Sequence, residues 1–531
     1  MRDGRSVALG LARWRAAFVI AFALLCVAKL MVAATLSPFG DEAFYWQESR
    51  HLAWGYSDLP PLTAWLIHLG ESLAGHSVLG MRWPFLLIGS ALPWLVRSFA
   101  REAFDERTGW QAALLCLALP LAGSLGVLAL PEVPLTVATM SALVAWMRAL
   151  DRGRLLDWLW LGLSLAVCWL THYRAGMPML AGILFGLLTR RGRMQWRQPG
   201  LWLALGVAAL GLIPLLISNW QQQGAGVMFQ LVERNPWRFH ADALVQPLEQ
   251  AAACTPLLYA LLLWAAWESW RRRGLGGPWD VIAVVSGCFI AVYFLAGLFA
   301  DDLRFRAHWP LPGYLPVLAA VPALLRERMP CRRVWLVVAF ALAGVGQLAG
   351  LTYLGLAASD RGASVLDGLK AFPSRFVGWR ESGALARELL ATHPGVLVAG
   401  DFMLAAELDF QLDGSVPVYV LDNRLNVKHG RAPQLAIWQR NEAALRRAYG
   451  DQPMVLVVDE TAVQARIRPP WLQSLCGSID GPSPLQRLDL FDGRRRIAFY
   501  AGSVPAMSST AVGGDARCVI WLSAAAAESG R

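Results

Sequence analysis

Two adjacent carboxylates, Asp41 and Glu42, follow directly on an apolar stretch that is long enough to cross a membrane. Ionisable groups at the edge of a bilayer are costly to place and are by default candidates for function. A general base needs a carboxylate within reach of an acceptor hydroxyl, and Asp41 could supply it. Alternatively, both residues cap the helix of the following loop, since acidic side chains favour helix N-termini. The sequence leaves both interpretations open.

Cationic side chains in two other segments suit the binding of an anionic leaving group. His172 and Arg174 end one apolar segment, and Arg304, Arg306 and His308 precede another. The planar guanidinium of arginine matches the geometry of phosphate oxygens. These cations could instead pair with neighbouring acidic residues or reach lipid headgroups.

Glu132, in "LALPEVPLT", is a further candidate, although it also suits the first turn of a helix that has Pro134 near its start. The chain has no P-loop, no GxGxxG cradle and no HExxH motif. A cytoplasmic nucleotide therefore has no evident binding loop, whereas a donor that brings its own phosphate from within the bilayer needs none. No spacing is diagnostic of metal ligands, so no metal site is specified and a role for a divalent metal stays open.

The composition indicates a multi-pass membrane protein, since 56% of the residues are hydrophobic and only 16% are charged, against about 25% charged in soluble domains. The net charge of +10 comes from short arginine clusters between apolar runs, which argues against nucleic-acid binding. Apolar segments near the length of a membrane span predict about eleven transmembrane helices. They are 16–36, 80–99, 109–128, 131–150, 155–172, 174–189, 200–219, 248–269, 279–299, 310–325 and 334–357.

The arginine clusters also predict an orientation. They alternate with arginine-poor loops, and cytoplasmic loops carry the excess of basic residues. The N-terminus is then cytoplasmic, the candidate site residues share the outer face, and the C-terminus lies in the periplasm of an inner-membrane protein.

The composition changes after residue 357, which predicts a transmembrane domain over 1–357, a small periplasmic α/β domain over 358–502 and a weakly ordered tail over 503–531. Strands are expected at 395–401, 416–422 and 453–460, and helices at 384–392, 403–412 and 436–450. Cys476 and Cys518 lie in this outer region, and a disulfide between them is a hypothesis.

Several segments together resemble the polytopic GT-C glycosyltransferases of families 39 and 83, the dolichyl-phosphate-mannose protein mannosyltransferase and aminoarabinose-lipid A transferase group. The most specific is "DEAFYWQESRHLAWGYSDLPPLTAWLI" (41–67), with an acidic pair, aromatic residues and an acid before Pro-Pro. "PEVPLTVATMSALVAWMRAL", "GLSLAVCWLTHYRAGMPMLAGILFGLL" and "FRAHWPLPGYLPVL" follow in the order of the family's segments, and "GWRESGALARELL" and "VLVAGDFMLAAELDFQL" extend the likeness into the outer domain.

The resemblance implies a GT-C fold and transfer of a sugar from a polyprenyl-phosphate donor, expected to be undecaprenyl phosphate, to an envelope glycolipid, polysaccharide or protein. It implies that Asp41 is the catalytic base and that Glu42 supports the site. The substrate-binding candidates are Tyr45, Asp58, Glu132, His172, Tyr173, Arg174, Arg304, Arg306 and His308.

The chain departs from the family pattern at four positions. Leu59 stands where relatives often carry His or Lys, and His172 replaces the Lys of the Lys-Tyr segment. His308 replaces an Asn, and Glu132 replaces an Asp. Two alternatives therefore stay open, a flippase for lipid-linked saccharides and an inactive GT-C homologue. A flippase is expected to carry charge through the bilayer interior, because its substrate crosses there.

Overall fold

A computed structural model describes residues 2–233, 237–299, 308–328, 332–463, 468, 471 and 475–506. The predictions made for Arg304, Arg306 and Cys518 fall outside these residues. Most of the predicted tail over 503–531 also lies outside them.

Helices dominate the chain up to residue 357. In order they are α1 (Arg2–Thr35), α2 (Gly40–Arg50), α3 (Leu62–Ala74), α4 (Val78–Ala103), α5 (Glu106–Ala118), α6 (Pro120–Gly123), α7 (Glu132–Arg152), α8 (Leu155–Thr171), α9 (Gly176–Leu188), α10 (Arg190–Gln195), α11 (Pro199–Leu210), α12 (Leu212–Gln221), α13 (Ala225–Met228), α14 (Gln246–Cys254), α15 (Pro256–Arg272), α16 (Trp279–Phe299), α17 (Leu311–Arg328) and α18 (Arg332–Ala357). Short 3-10 helices cover Tyr173–Ala175, Ala241–Val245 and Arg273–Leu275, and a π-helical turn covers Phe229–Glu233.

Several of these helices are long and apolar enough to cross a membrane. Within the described residues there are six, and a seventh if the bent pair Ala243–Cys254 and Pro256–Leu275, with an angle of 113°, is one span. The six are Gly10–Thr35, Val78–Ala103, Glu132–Arg152, Pro199–Gln221, Trp279–Phe299 and Val334–Ala357. The predicted membrane character is confirmed, and the number of about eleven spans stays a prediction.

The predicted spans 109–128 and 248–269 are interrupted in the structure, the second by the 113° bend between Cys254 and Pro256. The apolar segment 109–128 is not one helix, because α5 ends at Ala118 and Pro120 starts the four-residue helix α6. Proline lacks the backbone N–H that would continue the hydrogen-bond ladder. An apolar run therefore predicts burial in the membrane part here, but not a continuous helix.

The C-terminal part combines helices with a mixed sheet. Its helices are α19 (Asp360–Gly368), α20 (Trp379–Thr392), α21 (Phe402–Gln411), α22 (Arg424–Lys428), α23 (Ala432–Ile437) and α24 (Glu442–Tyr449), followed by a 3-10 helix over Cys476–Ser478. Its strands are β1 (Val396–Ala399), β2 (Val418–Val420), β3 (Pro453–Asp459), β4 (Asp480–Leu490) and β5 (Arg495–Ser503). We call this part the outer domain, and its location outside the membrane stays a prediction.

The five strands of the outer domain have the order β2-β1-β3-β5-β4. Strands β1, β2 and β3 run parallel, and β5 pairs antiparallel with β3 and β4. Alternate residues of a strand face opposite sides of the sheet. Leu397 and Ala399 therefore lie in one apolar core together with Phe44 of α2, and Val398 lies in the other core.

The sequence predicted the three parallel strands at the places where the structure has them, but one helix differs. The helix expected over 436–450 is divided, since α23 ends at Ile437 and α24 begins at Glu442. Gln439 between them has a φ of 56°, and Asn441 caps α24 by accepting a hydrogen bond from the Ala444 N–H. Asn is a strong helix N-cap, which explains the restart.

Cys476 is disulfide-bonded. Cys518, the partner that the sequence hypothesis names, lies outside the described residues. The pairing of these two cysteines therefore stays a hypothesis, and thiols that alkylate freely in unreduced protein would contradict it.

Helix α2 forms the main contact between the membrane part and the outer domain. Its Phe44 ring packs edge-on against Phe402, with ring centroids 5.6 Å apart. Gln47 donates a hydrogen bond to the Asp409 carboxylate over 2.8 Å. The helix that carries Asp41 is thus held from both sides, and its position depends on the outer domain.

A histidine at the edge of this interface predicts a pH-dependent stability. His76 lies 2.7 Å from the Glu71 carboxylate and 3.1 Å from the Phe410 carbonyl of α21. The hydrogen bond to Glu71 raises the pKa of His76 above its ordinary value, against a smaller opposing effect of burial. A raised folded-state pKa contributes stability that is complete below the unfolded pKa of about 6.5 and is lost as the pH rises through the folded pKa.

We therefore expect the interface to loosen as the pH rises above about 6.5. Hydrogen exchange of the backbone amides around Phe410 is measured across this pH range in detergent and compared with the intrinsic exchange rate at each pH. The protection of these amides should fall as the pH rises. The His76→Gln variant should exchange faster than the wild type at low pH and should lose most of the pH dependence. An unchanged pH dependence in this variant would mean that another group is responsible.

Candidate active site

A cavity of about 130 Å³ lies between the membrane helices and the outer domain. It collects most of the site residues that the sequence predicted, although they are far apart in the chain. The predicted residues that line it are Asp41, Tyr45, Asp58, Glu132, His172, Arg174 and His308. Leu59, the position where the family pattern has a base, lines the same cavity.

Glu132 forms the centre of a charged cluster on one wall of this cavity. It begins α7, where it accepts a hydrogen bond from Arg174 Nη2 over 2.5 Å. His308 Nε2 lies 3.2 Å from the same carboxylate oxygen. The Arg174 guanidinium also lies over the Trp309 ring, 5.2 Å from its centroid. An arginine and a histidine from distant segments are therefore fixed next to one carboxylate.

The backbone at the end of α8 sets the orientation of His172. Its Nδ1 accepts a hydrogen bond from the Arg174 N–H over 3.0 Å, which caps the short 3-10 helix Tyr173–Ala175. The neutral ring then carries its proton on Nε2. Tyr173 differs from the other candidates, since its hydroxyl accepts a hydrogen bond from Asn219 over 3.1 Å and it is not among the residues that line the cavity.

Asp41 lies in the first turn of α2 and faces the cavity with its side chain 22% exposed. Its Oδ1 lies 3.4 Å from Nη2 of Arg431, a residue of the outer domain. This is the geometry that a general base requires, a carboxylate that is held on one side and accessible on the other.

Glu42 has a different environment from its neighbour. Its carboxylate is completely buried in an ion pair with Arg82 over 2.6 Å. It also accepts hydrogen bonds from the Phe39 N–H over 3.0 Å and from the Ala129 N–H over 2.6 Å. The structure thus places Glu42 under the site as a helix cap and structural anchor, and it does not line the cavity.

Three carboxylates of the first loop surround Arg431. Its Nη1 contacts Asp58 and lies 3.5 Å from Glu48, while its Nη2 faces Asp41. Burial raises the pKa of Glu48 well above its ordinary value. Burial also raises the pKa of Tyr45, so its hydroxyl stays protonated.

The arrangement of these groups bears on metal binding. Within the part of the chain that the structure describes, no group of three or more His, Cys, Asp or Glu side chains is arranged to hold a metal ion. At the carboxylates of the first loop, the Arg431 guanidinium supplies the positive charge. A role for a divalent metal stays a prediction.

Comparison with known proteins agrees with the segments that the sequence singled out. Residues 58–218 match the family model of the dolichyl-phosphate-mannose-protein mannosyltransferases. A curated relative, the lipid A galacturonosyltransferase RgtD of Rhizobium johnstonii, is 26% identical over 321 residues, which are 59% of this chain and 63% of that protein. The chain thus aligns with less than two thirds of this relative.

Solved structures match over a larger part of the chain. The crystal structure of ArnT from Cupriavidus metallidurans bound to undecaprenyl phosphate has a TM-score of 0.63, with 16% identity, and the match covers 91% of this chain and 97% of that one. The archaeal oligosaccharyltransferase AglB from Archaeoglobus fulgidus has a TM-score of 0.51, with 10% identity over 88% of this chain and 73% of that one. The chain has the GT-C fold. The predicted resemblance and the predicted fold class are confirmed.

Below the charged cavity, this GT-C fold contains two further cavities that lead into the membrane part. A small cavity of about 10 Å³ shares Glu132, Arg174 and His308 with the charged one. It in turn shares Thr139, Pro178 and Phe289 with a cavity of about 80 Å³, whose lining is almost entirely apolar. The polar site therefore adjoins an apolar space between the helices.

The sequence did not predict the residues that the outer domain contributes to the charged cavity. Lys428, His429 and Arg431 line the charged cavity opposite the membrane helices. Their signal in the sequence is the basic stretch "KHGR", in which Gly430 has a φ of 71°. A single basic cluster in a soluble segment has no periodicity or spacing that connects it to a loop nearly 400 residues away.

Proposed function

We propose that this protein is a membrane glycosyltransferase that transfers a sugar from a polyprenyl-phosphate carrier to an acceptor of the cell envelope. The carrier is undecaprenyl phosphate and the acceptor is a glycolipid of the lipid A class. The similarity to a lipid A galacturonosyltransferase and to an ArnT structure bound to undecaprenyl phosphate supports these two choices.

One observation carries the proposal, namely that the charged cavity adjoins an apolar cavity inside the membrane part. A polyprenyl phosphate has a small anionic head and a long apolar tail. Arg174 and His308 lie where the two kinds of surface meet, and they can contact the head while the tail extends between the helices. Arginine has several N–H groups, so Arg174 can bind phosphate oxygens with some of them and keep a hydrogen bond to Glu132 with another.

The proposed reaction is a single displacement. Asp41 removes the proton from an acceptor hydroxyl, and the acceptor oxygen forms a bond to the anomeric carbon of the sugar. The bond from this carbon to the phosphate oxygen breaks, and the polyprenyl phosphate leaves with the additional negative charge. Arg174, His172 and His308 stabilise that charge in the transition state, which is where electrostatic stabilisation has its largest effect. One displacement inverts the anomeric configuration.

The location follows from the same proposal. With the N-terminus in the cytoplasm, as the arginine distribution predicts, the charged cavity and the outer domain face the periplasm. A lipid-linked donor is accessible there and a cytoplasmic nucleotide sugar is not. The protein would then act in the inner membrane on glycolipids that have reached its outer leaflet.

The test is mass spectrometry of the lipid A fraction from a strain that lacks the protein and from the same strain that expresses it. We expect a species that is heavier by the mass of one sugar residue only when the protein is present. The increase in mass identifies the sugar. Identical spectra for lipid A and for the other envelope glycolipids and glycans would contradict the proposal.

A second measurement separates the transferase from a flippase. Membranes from expressing cells are dissolved in detergent, which removes the two compartments that a flippase needs. Continued formation of the heavier glycolipid, with equimolar release of undecaprenyl phosphate, is expected for the transferase. Product that forms in intact cells and never in the detergent extract would favour transport.

A further inference from the structure

Arg431 reaches from the outer domain into the first loop of the membrane part. Its side chain is only 3% exposed, and its two terminal nitrogens face three carboxylates, those of Asp41, Glu48 and Asp58. Its guanidinium lies 4.2 Å from the centroid of the Phe44 ring. A buried arginine with aromatic and ionic contacts on several sides has little freedom to move.

The backbone around Arg431 is fastened to the same loop. Ser57 Oγ donates a hydrogen bond to the Gly430 carbonyl over 2.6 Å, and the Ser57 N–H donates one to Gln434 Oε1 over 3.0 Å. Gly430 has a φ of 71°, and a Cβ at this residue would lie 2.7 Å from the Phe229 ring. The turn before Arg431 therefore requires glycine, and it fixes the direction in which the arginine leaves the outer domain.

The charges of this cluster do not balance without Arg431. Burial raises the pKa of Glu48, and the neighbouring Asp58 raises it further. Burial also raises the pKa of Asp58, the Arg431 charge lowers it, and the same guanidinium faces Asp41. Because like charges in a partly buried site favour protonation, removal of the guanidinium would make both carboxylates hold protons more tightly.

We infer that Arg431 is a positioning residue for Asp41, which holds this carboxylate turned into the cavity, so that the active site is complete only when the outer domain is docked. The inference rests on the proposed function, in which Asp41 is the general base. The arginine has no direct role in the transfer, since it acts through the charge and orientation of Asp41.

The pH dependence of transfer tests this role in the full-length protein. Membranes from expressing cells supply both the donor and the acceptor, and the initial rate is measured across a range of pH. In Arg431→Gln, the acid limb of the profile is expected to move to higher pH by about one unit or more. Arg431→Lys keeps one positive charge and should restore part of the profile, although it lacks the fork that reaches several carboxylates.

Gln434→Ala is the matched control. This change removes the hydrogen bond to the Ser57 N–H and leaves all charges of the cluster in place. We expect it to loosen the contact between the domains while the acid limb stays where it is in the wild type. An acid limb that moves equally in Gln434→Ala and in Arg431→Gln would overturn the inference, because the effect would then be structural.

A measurement without turnover separates the inference from the proposed function. Carboxyl groups are labelled with a water-soluble carbodiimide and an amine, and peptide mass spectrometry follows the labelling of Asp41 as a function of pH. The midpoint for Asp41 should be higher in Arg431→Gln than in the wild type and in Gln434→Ala. Equal midpoints would overturn the role of Arg431, whereas the absence of product in wild-type membranes at every pH would contradict the transferase instead.

Discussion

Replacement of Asp41 by Asn is expected to lower the rate of sugar transfer by about 10²–10⁴-fold, the usual contribution of general acid–base catalysis. The amide has nearly the same shape as the carboxylate, but it cannot accept the proton of the acceptor hydroxyl. Because the buried Arg431 keeps its contact with Asp58, the change leaves no buried charge without a partner. The protein should fold, and the loss should appear in kcat at saturating donor.

Two further variants make the result specific. Asp41→Glu keeps the carboxylate but moves it by one methylene group, so an intermediate loss is expected, since misplacement by about 1 Å can cost roughly 10²-fold. Asp489→Asn changes the same functional group in a surface ion pair of β4, 3.4 Å from Arg496, and should have the wild-type rate. Full activity of Asp41→Asn with saturating donor would exclude Asp41 as the base.

That the site residues lie close together could be predicted, because successive loops alternate between the two faces of the membrane. Glu132, Arg174 and His308 lie in three segments that the arginine clusters assign to the same face of the bilayer. Helices that cross a membrane bring such segments together at one end, and the structure places Arg174 and His308 next to the Glu132 carboxylate. The pairing itself could not be predicted, because it depends on how the helices pack.

The contribution of the outer domain to the site could not be predicted, and the physical reason is a different one. Arg431 meets Asp58 only because the parallel strands and α21 place the segment 428–434 against the first loop. Such a contact is set by tertiary packing, and a lone arginine in the sequence more often lies on a solvated surface. The glycine at position 430 is the local feature that fits a sharp turn in this segment, and in the structure its φ is 71°.

The basic residues around the cavity also bear on the absence of a basic residue at Leu59. The absence of a base at this position raised the question of whether enough positive charge remains to hold a phosphate. In the structure Leu59 lines the charged cavity together with Arg174 and with Lys428, His429 and Arg431 of the outer domain. The cavity therefore contains several basic residues. Three of them come from the outer domain, whereas the family pattern suggested a base at position 59.

The interpretation of Glu42 as a helix cap agrees with its contacts, and it leads to the largest expected effect on stability. Arg82 donates to the Leu36 carbonyl over 2.7 Å and to the Ala33 carbonyl over 3.1 Å, at the end of α1. The same guanidinium contacts the Glu42 carboxylate twice, through Nε over 2.8 Å and Nη2 over 2.6 Å. One buried ion pair thus connects the end of α1, the start of α2 and the start of α4.

Breaking this pair from either side is expected to destabilise the protein by about 3–5 kcal/mol, because the remaining charge stays buried without its partner. In Arg82→Met the Glu42 carboxylate loses its cation, and the carbonyls at the end of α1 lose their donor. In Glu42→Leu the guanidinium loses its anion, and the Phe39 and Ala129 N–H groups lose their acceptor. Denaturant unfolding in detergent measures both effects.

The double variant Glu42→Leu/Arg82→Met separates the ion pair from the other contacts. Because no charge then stays buried, it should be less destabilised than the sum of the two single variants, with a coupling of roughly 0.5–3 kcal/mol. Arg387→Met on the exposed face of α20, where the side chain bonds only to the Gln411 carbonyl over 3.1 Å among the described residues, should stay within about 0.5 kcal/mol of the wild type. Additive single effects would show that the two residues act independently and that the helix ends are held by their separate backbone contacts. A coupled effect would show that the two residues act as a pair. If the transfer rate also falls in the same variants at temperatures where they remain folded, the pair sets the position of Asp41, one residue before Glu42.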